Sequence, residues 1–177
     1  GKTEVFVADA GQRMVWRFSK AGAMLGQIGD SAPGENAPPA FVIPSAYFDV
    51  AVSADGLPWV ADPGRQKIGL YDLDGKKKME WGESSMEWAG FCGCCNPSHF
   101  ALLPGGGFVT AEKGLPRVKV YDSHGRWEGV VAEPDDFPPD ALGLDLAVDG
   151  AGRIYVLVPA ERQIRIYVRK LADEKQN

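Results

Sequence analysis

The sequence predicts an all-β protein built from internal repeats, and three observations carry that expectation. Four segments resemble one another: Glu4 to Gly22, Phe48 to Lys76, Ser98 to Arg126 and Leu144 to Lys170. Aligned on Phe18, Tyr71, Tyr121 and Tyr167, they are offset by 53, 50 and 46 residues. Gly56, Gly106 and Gly152 fall into line under the same offsets, as do Asp9, Asp62 and Glu112, with Val158 in the last unit. The apolar runs are short and bounded by turns rich in Gly and Asp, which is how strands are punctuated. No stretch sustains a helical period.

Each unit then reads in order. A short apolar run, Val50–Val52 or Leu146–Val148, is expected to be a strand buried on both faces. A glycine turn follows, at Ala54–Gly56 or Gly105–Gly107, and then a second strand, Trp59–Ala61, Phe108–Thr110 or Ile154–Leu157. The third strand alternates, as in Val118–Tyr121 and Ile164–Tyr167. Hairpins at Asp74-Gly75 and His124-Gly125 lead to a fourth, edge strand such as Trp127–Val131. Four strands in each repeat of 40–50 residues is the pattern of a β-propeller blade. Blades are expected at about 1–30, 46–83, 97–132 and 143–170 of a single domain spanning 1–177, with Pro-rich crossings at 31–45 and 132–141.

The small-apolar first strand, the "D-G" and "VAD" phrases and the third strand ending in an aromatic before a "D-G" hairpin resemble the NHL-repeat family of β-propellers. The stretch "GFCGCCNPSHFALLPGGGFVTAEKGLPRVKVYD" is similar to a bacterial branch of that family carrying a CGCCNP loop. The resemblance implies a six-bladed ring, of which about four blades are visible here. The first unit lacks its inner strand, and the last lacks a fourth strand after Lys170. An open arc exposes faces and edges that proteins normally cover. The missing blades are therefore expected from a further part of the polypeptide or from another subunit. Bacterial relatives of this type are often exported, so the resemblance implies a periplasmic or exported protein; the absence of an initiating Met fits a cleaved leader.

Composition narrows the function classes. The 177 residues are 45% hydrophobic and 24% charged, with a net charge of −5. An acidic chain without a basic footprint argues against nucleic acid as a partner. The run Lys76-Lys77-Lys78 reads as a solvated hairpin flank. No apolar run approaches the roughly 20 residues that span a bilayer, so no transmembrane segment is expected.

Two clusters carry possible chemistry. All three cysteines, Cys92, Cys94 and Cys95, stand within eight residues together with His99. Three sulfurs and a nitrogen suit a metal ion such as zinc or copper(I), or an iron–sulfur centre. The C-x-C-C spacing is tight for one ion, though Gly93 permits a bend. A disulfide, vicinal or between Cys92 and Cys95, and inert packed thiols are the alternatives. The second cluster follows from the repeat: Asp49, His99 and Asp145 hold one register position at the start of the first strand. In a propeller they converge on one mouth of the channel, where they form either a cation or ligand site or an ordinary polar lining.

Other side chains have plainer expectations. Asp9, Asp62 and Glu112 are expected to accept turn amides. Trp16 and Trp59 are expected between blades, whereas Trp81 and Trp88, flanking "GESSME", are expected at the surface as a possible binding patch. His124 is expected in solvent. Ser84, Ser85 and Ser98 have no triad partners at a recognisable spacing, and Leu103–Gly107 joins two strands rather than cradling phosphate. The leading expectation is a non-enzymatic scaffold that presents a stiff, loop-rich face to a protein partner within a larger assembly. A redox or metal-site protein using Cys92, Cys94, Cys95 and His99 comes second. A propeller enzyme, lactonase- or lyase-like with an axial metal, comes third, because fold does not carry function.

Overall fold

Each repeat unit becomes one antiparallel sheet. The computed structural model of the chain describes residues 4–29, 41–139 and 141–170. The first sheet has three strands, β1 (Glu4–Asp9), β2 (Met14–Ser19) and β3 (Met24–Ile28). The second has four, β4 (Val50–Val52), β5 (Pro58–Asp62), β6 (Lys67–Tyr71) and β7 (Lys77–Trp81). The third repeats it with β8 (His99–Leu102), β9 (Phe108–Glu112), β10 (Arg117–Tyr121) and β11 (Trp127–Ala132). The last has β12 (Asp145–Val148), β13 (Ile154–Val158) and β14 (Gln163–Tyr167). Among the described residues the only helical pieces are single 3-10 turns at Pro63–Arg65, Pro134–Asp136 and Pro159–Glu161. None is long and apolar enough to cross a membrane. The expected crossing at 31–45 falls largely outside the described residues.

The sheets stack face to face in chain order. Their first strands lie side by side, β4 against β8 and β8 against β12. Three apolar layers fill the spaces between sheets. Val15, Ile28 and Phe41 pack with Val60; Trp59, Ile68 and Trp81 pack with Phe91, Phe108 and Tyr121; Val109, Val118 and Ala132 pack with Ile154, Val156 and Val158. This is a β-propeller-like all-β arrangement, and it comes from period-two alternation. In β9, Phe108 and Thr110 turn to the preceding sheet while Val109 and Ala111 turn to the following one.

Continuous burial falls on a different strand from the one expected. The first strands are only partly covered, and Val52 is exposed. The strands buried end to end are β5 and β9. A second strand has a partner strand on each side and a sheet on each face. A first strand is the edge of its sheet, and one side of it stays open.

Fourth strands are locked by glycine. Gly125, at φ +75°, brings the β10–β11 hairpin against the ring of Trp81 at the end of β7. Gly75, at φ +82°, does the same against Ile28 at the end of β3. The left-handed backbone suits glycine, and the close approach leaves no room for a Cβ at Gly125.

Candidate functional site

The repeat delivers Asp49, His99 and Asp145 to one place. Nδ1 of His99 lies 3.5 Å from Oδ2 of Asp49 and 3.5 Å from Oδ1 of Asp145. Each carboxylate is aimed by its own strand: Asp49 Oδ1 accepts the Val50 amide at 2.9 Å, and Asp145 Oδ1 accepts the Leu146 amide at 2.7 Å. Asp49 Oδ2 also accepts the Phe100 amide at 3.0 Å, which ties the second sheet to the third. The Tyr47 ring stands edge-on to the imidazole, 5.6 Å between centroids. Burial pulls the His99 pKa down, but the hydrogen bond to Asp49 and the charges of Asp49 and Asp145 outweigh it, so the net shift is upward. Both carboxylates approach the same ring nitrogen, so when His99 is protonated its Nδ1–H faces two negative partners.

Leading into His99 runs the long loop from Gly82 to Ser98. A buried ionic group in the third sheet holds it. Glu112 lies 2.7 Å from Arg117 and 2.7 Å from Lys119, all three side chains being essentially out of contact with solvent. The loop supplies the remaining partners. Its Cys92 amide donates to Glu112 Oε2 at 2.8 Å. Arg117 donates to the Met86 and Gly90 carbonyls, Lys119 to the Trp88 and Gly90 carbonyls, and Tyr121 to the Ala89 carbonyl. The Asn96 side chain donates to the carbonyls of Cys92 and Lys113, and its carbonyl oxygen accepts the Lys113 amide at 2.9 Å. Burial lowers the Lys119 pKa despite the opposing pull of Glu112.

The carboxylate position recurs. Asp62 accepts the Val42 amide at 2.9 Å, just as Glu112 accepts that of Cys92. Val42 and Cys92 are themselves one repeat apart. Both carboxylates thus pin the segment entering their sheet, whereas Asp9 accepts the amide of Gln12 in the next turn. Arg117 and Lys119 were missed as site residues in the sequence, and their signal was two cations on one face of a strand otherwise buried.

The cysteine sulfurs meet different partners. Cys92 Sγ contacts Met86 Sδ at 3.1 Å, while Cys94 and Cys95 bring their sulfurs to 3.2 Å of each other. All three are free thiols; Cys94 is exposed and Cys95 buried. Gly93 takes φ +79°, the bend that precedes the pair. Cys95 beside it pushes the Cys94 thiol above its usual range, first through their hydrogen bond and then through charge. Among the described residues no group of three or more His, Cys, Asp or Glu side chains is disposed to hold a metal ion.

The tryptophan expectation needs correcting at one position. Trp81 is 6% exposed and packs its ring 4.7 Å from Tyr121 and 4.8 Å from Phe108, so it belongs to the core. It ends β7 as Ile28 ends β3, one repeat earlier, and both fill the space before the next sheet. Trp88 remains half-buried with Arg117 over its ring at 5.3 Å, and Met86 beside it is 71% exposed. His124 is exposed.

No protein-family model matches the sequence, and no curated protein matches it. Among solved structures, the chain is similar to a catalytically inactive variant of virginiamycin B lyase from Staphylococcus aureus with quinupristin, at a TM-score of 0.48 and 15% identity over 98% of this chain and 58% of that one. It is similar to the extracellular domain of a hybrid two-component system from B. thetaiotaomicron at a TM-score of 0.42 and 14% identity, covering 92% of this chain and 22% of that one. A streptogramin B lyase structure follows at 0.37 and 11%, covering 96% and 66%. The chain therefore spans less than two thirds of the length of these structures. Likenesses of this size carry no argument about what the chain does.

Proposed function

We propose that the chain is a non-enzymatic, NHL-type propeller scaffold whose Gly82–Ser98 loop presents a rigid surface to a protein partner. The single observation that carries this reading is the anchoring of that loop. Its carbonyls at Met86, Trp88, Ala89 and Gly90 are all held by side chains of β10. A loop ordered before contact loses little entropy on binding. Its outward features, exposed Met86 and the Trp88 ring over Arg117, are of the kind enriched where proteins meet. The remaining blades of a six-bladed ring and export from the cell belong to the same reading. A photo-crosslinking residue placed at position 86, with another at position 74 in the β6–β7 hairpin as control, tests it in the native source. Specific protein adducts from position 86 alone are the expected result. Equal or absent adducts from both positions would remove the proposal.

A second reading, a redox role for the loop, is favoured by the 3.2 Å approach of the Cys94 and Cys95 sulfurs. Thiol counting of natively purified protein, with and without a disulfide reductant, decides it. Two thiols gained on reduction support a redox pair, and three free thiols in both states exclude it.

A further inference from the structure

We infer that Met86 and Cys92 form a two-sulfur site for a soft monovalent metal ion of the copper(I) class. Their sulfurs already lie 3.1 Å apart. Closure of the loop puts them there. Phe91 donates its amide to the Glu83 carbonyl at 2.8 Å, and its carbonyl accepts the Ser85 amide at 3.1 Å, so the segment from 83 to 91 folds back on itself. Gly90 permits the closure, because a Cβ there would stand 2.4 Å from Cβ of Ser85. Met86 and Cys92 lie just beyond the bridged residues and meet. Both backbones are held before any ion arrives. Arg117 donates to the Met86 carbonyl at 3.3 Å, while Glu112 and Asn96 hold the amide and the carbonyl of Cys92. The donor atoms can still adjust: Met86 is mostly exposed, and an unbranched thioether chain opens easily to admit an ion.

The donor set selects the ion. One thiolate neutralises a single positive charge, the thioether adds a soft neutral donor, and together they suit copper(I). A closed-shell monovalent ion is satisfied by two such sulfurs. Zinc calls for four ligands and an iron–sulfur cluster for four thiolates. The neighbouring nitrogen and oxygen donors are committed elsewhere: His99 Nδ1 faces Asp49 and Asp145, and Glu112 is paired with Arg117 and Lys119. Binding replaces the Cys92 thiol proton by the metal, and the proton leaves to solvent. The site differs from the set of Cys92, Cys94, Cys95 and His99 that spacing suggested. Methionine takes the place of histidine, and Cys94 and Cys95 face each other instead. The inference goes beyond the scaffold reading and does not rest on it, since it needs the anchored loop but no protein partner.

Silver(I), a redox-inert stand-in for copper(I), tests it by NMR of the full chain labelled at its methionine methyls, with all thiols reduced. The chain has four methionines, and Met24 and Met79 are exposed as Met86 is, so they report non-specific binding. The Met86 methyl should shift on titration while the other three stay in place. The shift should vanish in Cys92→Ser, persist in Cys94→Ser and not be produced by zinc(II). Cys92→Ala serves if circular dichroism shows that the serine variant does not fold. A Met86 methyl that stays in place, that moves no further than those of Met24 and Met79, or that still shifts without Cys92 would overturn the inference. Loss of the shift in Cys94→Ser would overturn the two-sulfur assignment, and an equal shift with zinc(II) would overturn the class of ion.

Discussion

His99 sits where opposing effects meet, and their outcome is measurable. Burial disfavours the imidazolium, and Asp49 and Asp145 favour it more strongly. A folded-state pKa above the ordinary value of 6.5 means that the stabilisation is fully present below that value. It is lost as pH rises through the raised pKa. Asp49→Asn leaves the burial penalty less opposed, so the His99 pKa measured by NMR should fall, and the slope of melting temperature against pH above 6.5 should flatten. An unchanged pKa would mean that the carboxylate is screened by water. Asp145 is the more exposed partner, so Asp145→Asn should move the pKa less. Glu112 poses the opposite case, a buried anion between two buried cations. Glu112→Gln strands both cations and should cost about 3–5 kcal/mol in urea unfolding. A loss below about 1 kcal/mol would show that the loop carbonyls alone suffice.

At the scale of the element, the hairpin between β10 and β11 is fastened twice. Asp122 accepts the amides of His124 and Arg126, and these bonds with the Arg126 side chain outweigh burial and hold its pKa down to about 2. Gly125 then lays the turn on Trp81. Gly125→Ala forces a side chain into a left-handed backbone and into an occupied space. The two effects together should cost about 2–4 kcal/mol by thermal or chemical denaturation. A neutral effect would mean that the hairpin moves freely off the second sheet. Most of the strands were legible in the sequence because their period-two pattern and turn glycines are local signals. The mistaken exposure of Trp81 shows where local reading stops. Its flanks look polar, and only its register with Ile28, 53 residues earlier, reveals that the position faces the next sheet.

Across the whole molecule, contacts run between neighbouring sheets, so stability should be graded along the stack. The second and third sheets are covered on both faces, the first and last on one. Hydrogen exchange read by mass spectrometry at concentrations where the chain is monomeric should show β1 and β14 exchanging well before β5 and β9. Uniform protection would indicate that the terminal faces are covered after all. The sequence alone determined the repeat, the sheet-by-sheet order and the meeting of Asp49, His99 and Asp145, since one register position in stacked identical units must converge. Tertiary structure alone decided that Cys92 meets Met86 while Cys94 and Cys95 face each other, that Arg117 and Lys119 clamp the loop carrying them, and which apolar residues are left uncovered. Those outcomes depend on a non-repeating insertion and on which sheet faces lack a neighbour. Neither has a periodic signal for the sequence to carry.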